Sequence, residues 1–125
     1  EISLGDTIGR GTPDRVQAML DAVVQDVPAD RLAGHFHDTG GRALDNIRAS
    51  LETGLRVFDA AVGGLGGCPY APGAAGNVAT GAVDALLRRL GFETGLDRSV
   101  LERAAAMARD MRGAPVSDGT DKGRA

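Results

Sequence analysis

The sequence predicts an α/β fold with parallel strands, the C-terminal part of a (β/α)8 TIM barrel followed by C-terminal helices. Three observations carry this expectation. Strand-like and helix-like segments alternate through roughly the first half of the chain. The connections between them are short, as in parallel βαβ units with right-handed crossovers. The last third has helical periodicity and no strand pattern, so it supplies nothing that would extend an open sheet.

Residues 1 to 7 read as a strand ending at Asp6 and Thr7, followed by a glycine-containing loop, Ile8 to Gly11. Thr12 is a good helix N-cap and Pro13 suits the first helical position. Val16, Met19, Leu20, Val23 and Val24 then recur at helical spacing on one face, a stripe that must pack against something. Val27-Pro28 ends this helix, because the residue before a proline is pushed out of the helical region. Leu32 to Asp38 is the second strand, with Leu32 and Phe36 on one face and His35 and His37 on the other. A second helix runs from about Arg42 to Thr53, with Leu44, Ile47 and Leu51 apolar and Gly54 as its left-handed stop. Arg56 to Val62 is the third strand. A long glycine-rich loop, Gly63 to Gly76, leads to a helix around Val83, Leu86, Leu87 and Leu90, closed by Gly91. A last helix begins at Asp97, with Leu96 and Leu101 in staple positions, and runs to about Arg112.

Three parallel strands leave two sheet edges exposed, and an open five-stranded sheet would need two more strands. The economical reading is the last three strands of an eight-stranded barrel, a fold of about 250 residues, of which this chain covers roughly half. The opening run Glu1-Ile2-Ser3-Leu4 enters directly in strand alternation without an initiator methionine, as expected of a cut within a larger domain. Residues 1–112 are therefore expected to be the C-terminal half of a barrel domain. The tail 113–125, rich in Gly, Pro, Ser, Asp and Lys without apolar periodicity, is expected to be disordered.

Fourteen basic against 17 acidic residues give a net charge of -3, and no basic run or aromatic-basic interleaving is present. Nucleic acid is not an expected partner. Apolar stretches are broken by charges well short of the ~20 residues of a membrane span, so a cytoplasmic protein without a membrane partner is expected. The single cysteine, Cys68, excludes an intrachain disulfide.

His35 and His37 sit at the C-terminal end of their strand, which in a barrel is the catalytic mouth. Spacing i, i+2 puts both imidazoles on one face, where they can converge on one divalent cation. Surface or hydrogen-bonded core histidines fit the spacing too. Asp6 and Asp38 also end strands; either can orient an imidazole or handle a proton, or simply cap the following turn. In Gly63-Gly64-Leu65-Gly66-Gly67-Cys68-Pro69-Tyr70, four glycines precede the thiol. Such a backbone can lie close to a ligand and behave as a lid, with Gly64, Gly66 and Gly67 as a substrate-binding loop. A thiol on it can exchange protons if a nearby cation lowers its pKa. Asn77 lies nine positions after Cys68, just before a helix, where its amide oxygen is a hard ligand for Mg²⁺ or Mn²⁺ or a capping group.

The segments Ser3-Leu4-Gly5-Asp6-Thr7-Ile8-Gly9, His35-Phe36-His37-Asp38-Thr39 and Gly64-Leu65-Gly66-Gly67-Cys68-Pro69-Tyr70-Ala71, through Gly76-Asn77, resemble those of the hydroxymethylglutaryl-CoA lyase family. That family lies within the broader metallolyase barrels, which include isopropylmalate and homocitrate synthases. The resemblance covers about residues 1 to 112 in order. It implies that His35, His37 and Asn77 bind a divalent metal, Mg²⁺ or Mn²⁺, that Cys68 is a general acid/base on a flexible loop, and that Asp6 contributes to the active site. It implies a further arginine and a metal-binding aspartate on a strand this chain does not contain, an acyl-CoA substrate, and a homo-oligomer, a dimer. One departure stands out: Gly40-Gly41-Arg42 replaces the family's Tyr-Gly-Gln, exchanging an aromatic for a cation in the pocket wall.

The expected reaction is metal-dependent retro-Claisen cleavage of a 3-hydroxyacyl-CoA, as from 3-hydroxy-3-methylglutaryl-CoA to acetoacetate and acetyl-CoA. Two other readings stay open: an aldolase or acyl-CoA synthase on the same fold, and a fragment that is inactive without an N-terminal half.

Overall fold

Three segments, β1 (Ile2–Asp6), β2 (Leu32–Phe36) and β3 (Val57–Asp59), form one parallel sheet in the order β1-β2-β3. The computed structural model describes residues 1–68 and 71–112, and for 68, 71–74 and 112 the backbone alone. Strand β1 pairs with β2 in register from Ile2↔Leu32 to Asp6↔Phe36, and β2 with β3 from Ala33↔Val57 to His35↔Asp59. Helices α1 (Pro13–Val23) and α2 (Ala43–Thr53) fill the two crossovers, and α3 (Thr80–Arg89) and α4 (Arg98–Arg112) follow.

The core lies on the helix side of the sheet. Leu32 and Phe36 of β2 meet Val16 and Leu20 of α1, Ile47 and Leu51 of α2, and Val83 and Leu86 of α3 in one buried cluster. Each such side chain contributes about 1.5–3 kcal/mol by leaving water, so this layer fixes how the strands lie. The opposite face carries Ser3, Gly5, Ala33, His35, Val57 and Asp59 by strand parity. Ser3, Gly5, Val57 and Asp59 are exposed there and His35 is intermediate.

Helix ends follow local chemistry. Gly54 closes α2 at φ 106, as expected of a left-handed stop. Asp97 caps α4: its carboxylate accepts from the Val100 N–H at 3.0 Å and from the Ser99 hydroxyl. Thr12 occupies the N-cap of α1 with extended backbone, yet its hydroxyl makes no capping bond.

Two expectations need correction. The third strand was expected from Arg56 to Val62, but pairing stops at Asp59. Ala61 bridges Ala79 instead, and Val62–Gly64 forms a 3-10 turn with Gly63 left-handed, a geometry no strand can continue through. The glycine-rich stretch is not wholly irregular: β4 (Gly67–Cys68) and β5 (Ala71–Ala75) pair antiparallel within it. The tail 113–125 lies outside the described residues.

Candidate metal centre

The end of β2 brings two imidazoles together. Their ring centroids are 5.2 Å apart, tilted by 54°. Beyond Phe36 the chain stays extended: the His37 N–H donates to the Asp6 carbonyl at 3.3 Å, and His37 makes an antiparallel bridge to Asn77. The Asp38 N–H donates to the Gly76 carbonyl at 2.7 Å, and Val78 N–H to the Phe36 carbonyl at 3.4 Å. Asn77 is thus stitched to the very residues that carry the histidines, although 40 positions of chain (77 − 37 = 40) separate it from His37.

The amide of Asn77 is held in one orientation. Its Nδ2 donates to the Leu65 carbonyl at 2.9 Å, which leaves Oδ1, without a hydrogen bond among the described residues, as the hard donor. Gly66, at φ 100, makes this possible, because a Cβ there would sit 2.6 Å from Asn77 Nδ2. Beside it, Gly67 pairs with Ala75, and β4 continues into Cys68. Of the loop glycines Gly66 abuts Asn77, while Gly67 lies against Gly76 and pairs with Ala75 as the chain runs on to Cys68, whose side chain lies outside the described residues.

A carboxylate that the sequence reading did not single out completes the picture around His35. Asp59 Oδ2 lies 3.6 Å from His35 Nδ1 and accepts a hydrogen bond from the Ser3 hydroxyl at 3.0 Å. Parity and parallel register place Asp59 directly beside His35. Counting alternate positions back from the strand ends would have found it. Asp6 is used differently. Its register partner is Phe36, one residue out of phase with the imidazoles. Its carboxylate accepts from the N–H groups of Arg10 and Gly11 at 3.0 and 2.8 Å, clamping the loop after β1. Asp38 similarly receives the Ala43 N–H at 3.1 Å, at the start of α2. It is Asp59, then, that faces an imidazole.

The donor set fits a divalent cation. His37 is 8% exposed, and its Nδ1 is buried without a hydrogen-bond partner. An orphaned buried nitrogen costs about 1–3 kcal/mol, which a ligand at that atom would relieve. Two imidazoles and one amide oxygen are borderline-to-hard donors suited to such an ion. Among the described residues no three His, Cys, Asp or Glu side chains cluster.

A family model described as HMGL-like matches residues 1–108. The chain belongs to the HMGL-like family. Hydroxymethylglutaryl-CoA lyase of Arabidopsis thaliana, a mitochondrial protein, is 54% identical over 115 residues, covering 92% of this chain and 25% of that one. The 3-hydroxy-3-isohexenylglutaryl-CoA/hydroxymethylglutaryl-CoA lyase of Pseudomonas aeruginosa is 57% identical over 101 residues, covering 81% and 34%. Among solved structures, HMG-CoA lyase of Brucella melitensis shares 69% identity at a TM-score of 0.88, over 90% of this chain and 40% of that one. The chain thus spans a quarter to a third of the length of these curated relatives. Its parallel sheet is a segment of the family's (β/α)8 barrel. In that frame the exposed face bearing His35 and Asp59 is the barrel interior, and the end bearing His37 and Asn77 is the C-terminal mouth. No helix among the described residues is long and apolar enough to cross a membrane.

Proposed function

We propose that the protein carrying this chain is a carbon-carbon lyase. It cleaves 3-hydroxy-3-methylglutaryl-CoA, or a close 3-hydroxyacyl-CoA analogue, to acetyl-CoA and a keto acid. The convergence of His35, His37 and Asn77 at one end of the sheet, beside the glycine loop of Cys68, carries the reading. Its support from relatives is their names, HMG-CoA lyases at about 55% identity.

His35, His37 and the Asn77 amide oxygen would hold a divalent cation, Mg²⁺ or Mn²⁺; when bound, it supplies Lewis acidity at the substrate's 3-hydroxyl and a neighbouring oxygen. Asp59 lies 3.6 Å from His35 Nδ1, where its carboxylate can orient the ring so that Nε2 points towards the cation. Leu65 holds the Asn77 amide so that its oxygen, not its nitrogen, is available. Once a general base takes the proton of the 3-hydroxyl, the bond between C2 and C3 breaks as the C3–O carbonyl forms, and its electron pair passes to the acetyl-CoA fragment as an enolate. The Cys68 thiol then delivers a proton to that carbon, and the glycines before it allow the loop to approach the substrate closely. The Asp6 carboxylate acts on the loop after β1, fixing the wall of the mouth.

Incubation with 3-hydroxy-3-methylglutaryl-CoA and Mg²⁺ should yield acetoacetate and acetyl-CoA in equal amounts. Cys68→Ala should abolish turnover while Mn²⁺ binding is kept. A protein that condenses acetyl-CoA with a 2-keto acid, and leaves the 3-hydroxyacyl ester intact, would be a synthase instead.

A further inference from the structure

On the same end of the sheet a second hollow opens, away from the imidazoles. It has a volume of about 490 Å³ and lies between the loop after β1 and the loop after β2. Gly9, Arg10, Thr12, Thr39, Gly40 and Arg42 line it: two cations, two hydroxyl side chains and no carboxylate. Neither guanidinium has an ion-pair or hydrogen-bond partner among the described residues. The strand-end acids are already engaged by backbone, Asp6 by the N–H groups of Arg10 and Gly11 and Asp38 by that of Ala43, and Asp14 and Asp45 in the first turns of α1 and α2 do not line the hollow. Two like charges facing one hollow repel each other unless an anion lies between them.

The backbones that carry the two arginines are held against each other. A Cβ on Gly40 would fall 2.6 Å from the Gly9 carbonyl oxygen, so the two loops touch backbone to backbone. The Thr39 hydroxyl donates to the Ala75 carbonyl at 2.7 Å, which ties the same wall to the base of the β4–β5 hairpin that bears Cys68. The forked donors of a guanidinium match the paired oxygens of phosphate and carboxylate.

We propose that this hollow is an oxyanion subsite, in which Arg10 and Arg42 together bind a phosphate or carboxylate of the substrate remote from the bond that breaks. It rests on the lyase reading only for which molecule carries that anion.

Calorimetric titration of the protein carrying this chain, at low ionic strength, tests it with two probes: pyrophosphate and glutarate. At least one should bind. Its affinity should fall about tenfold or more in Arg10→Gln and again in Arg42→Gln, and should fall with added salt. Pyrophosphate dependence points to the phosphates of a CoA ester, and glutarate dependence to an acyl carboxylate; either supports the subsite. Arg10→Lys and Arg42→Lys keep the charge without the fork, and a partial loss in them guards against a folding defect in the glutamine variants. Absence of binding by both probes, or affinities unmoved by either arginine, overturns the proposal. His37→Ala separates the two ideas. It should lose lyase activity and keep anion binding; arginine-dependent anion binding in an unsubstituted protein that cleaves no 3-hydroxyacyl-CoA removes the reaction and leaves the subsite, whereas lyase activity with arginine-independent anion binding does the reverse.

Discussion

Gly66→Ala is expected to unseat the Asn77 amide, and the size of the effect can be worked out from two separate costs. The backbone at Gly66 has φ 100, where an L side chain pays about 1–2 kcal/mol. The new methyl would lie 2.6 Å from Asn77 Nδ2, so the amide must move and its 2.9 Å bond to the Leu65 carbonyl is lost. A half-buried carbonyl left unpaired adds about 1–3 kcal/mol. Together the loss is about 2–5 kcal/mol, or a drop of about 1 M or more in the urea midpoint. Gly67→Ala is the control. It is the next residue in the same loop, but a Cβ there meets nothing within 4 Å and its φ is not left-handed. Its midpoint should stay within the equivalent of about 0.5 kcal/mol. Mn²⁺ titration of the same two variants should show weakened binding in the first only. Equal stability and equal metal affinity in the two would refute the reasoning that Gly66 exists to admit the Asn77 amide.

Three further outcomes are expected. Ile47→Ala, at a fully buried position beneath the sheet, should cost about 2–5 kcal/mol in chemical denaturation, whereas the exposed Met19→Ala should be nearly neutral. Asp59→Asn should weaken Mn²⁺ binding about 10- to 100-fold by removing the carboxylate beside His35 Nδ1; unchanged affinity would show that the carboxylate does not position the ring. The Thr94 hydroxyl, followed by the Arg88 guanidinium, holds the Asp84 carboxyl below the ordinary aspartate value of 3.8. A carboxyl with a depressed folded value stabilises fully above its unfolded value and loses that contribution as pH falls through the folded one. Asp84→Asn should therefore flatten the acid limb of stability below about pH 4, and acid-unfolding curves of the same shape in both proteins would contradict this.

The helices and the two longer strands were legible because their signals are local. The stripe of Val16 and Leu20, the Leu32/Phe36 alternation and the glycine at 54 each specify conformation within a few residues. The pairing of His35 with His37 was legible for the same reason, since period-two geometry needs only the strand. Register is not local. Whether Asp6 or Asp59 faces an imidazole depends on which residues of neighbouring strands lie opposite each other, and the helices packed on the far face decide that. The end of β3 at Asp59 was hidden as well, because the Ala61–Ala79 bridge that replaces the strand joins residues across the whole glycine loop. The Asn77 amide was visible as a candidate, while its anchor on Leu65 depends on the left-handed turn at Gly66. The Arg10–Arg42 hollow was half visible: the cation at 42 stood out in the sequence, and only the fold brings position 10 opposite it.

Pulsed electron spin resonance of Mn²⁺ bound to the protein carrying this chain addresses the histidine–asparagine site most directly, because nitrogen couplings count the imidazoles on the ion. Couplings from two imidazoles are expected, with one lost in His35→Ala and the other in His37→Ala. A Mn²⁺ signal without nitrogen coupling, or couplings that survive both substitutions, would mean that the two rings at the end of β2 hold no metal.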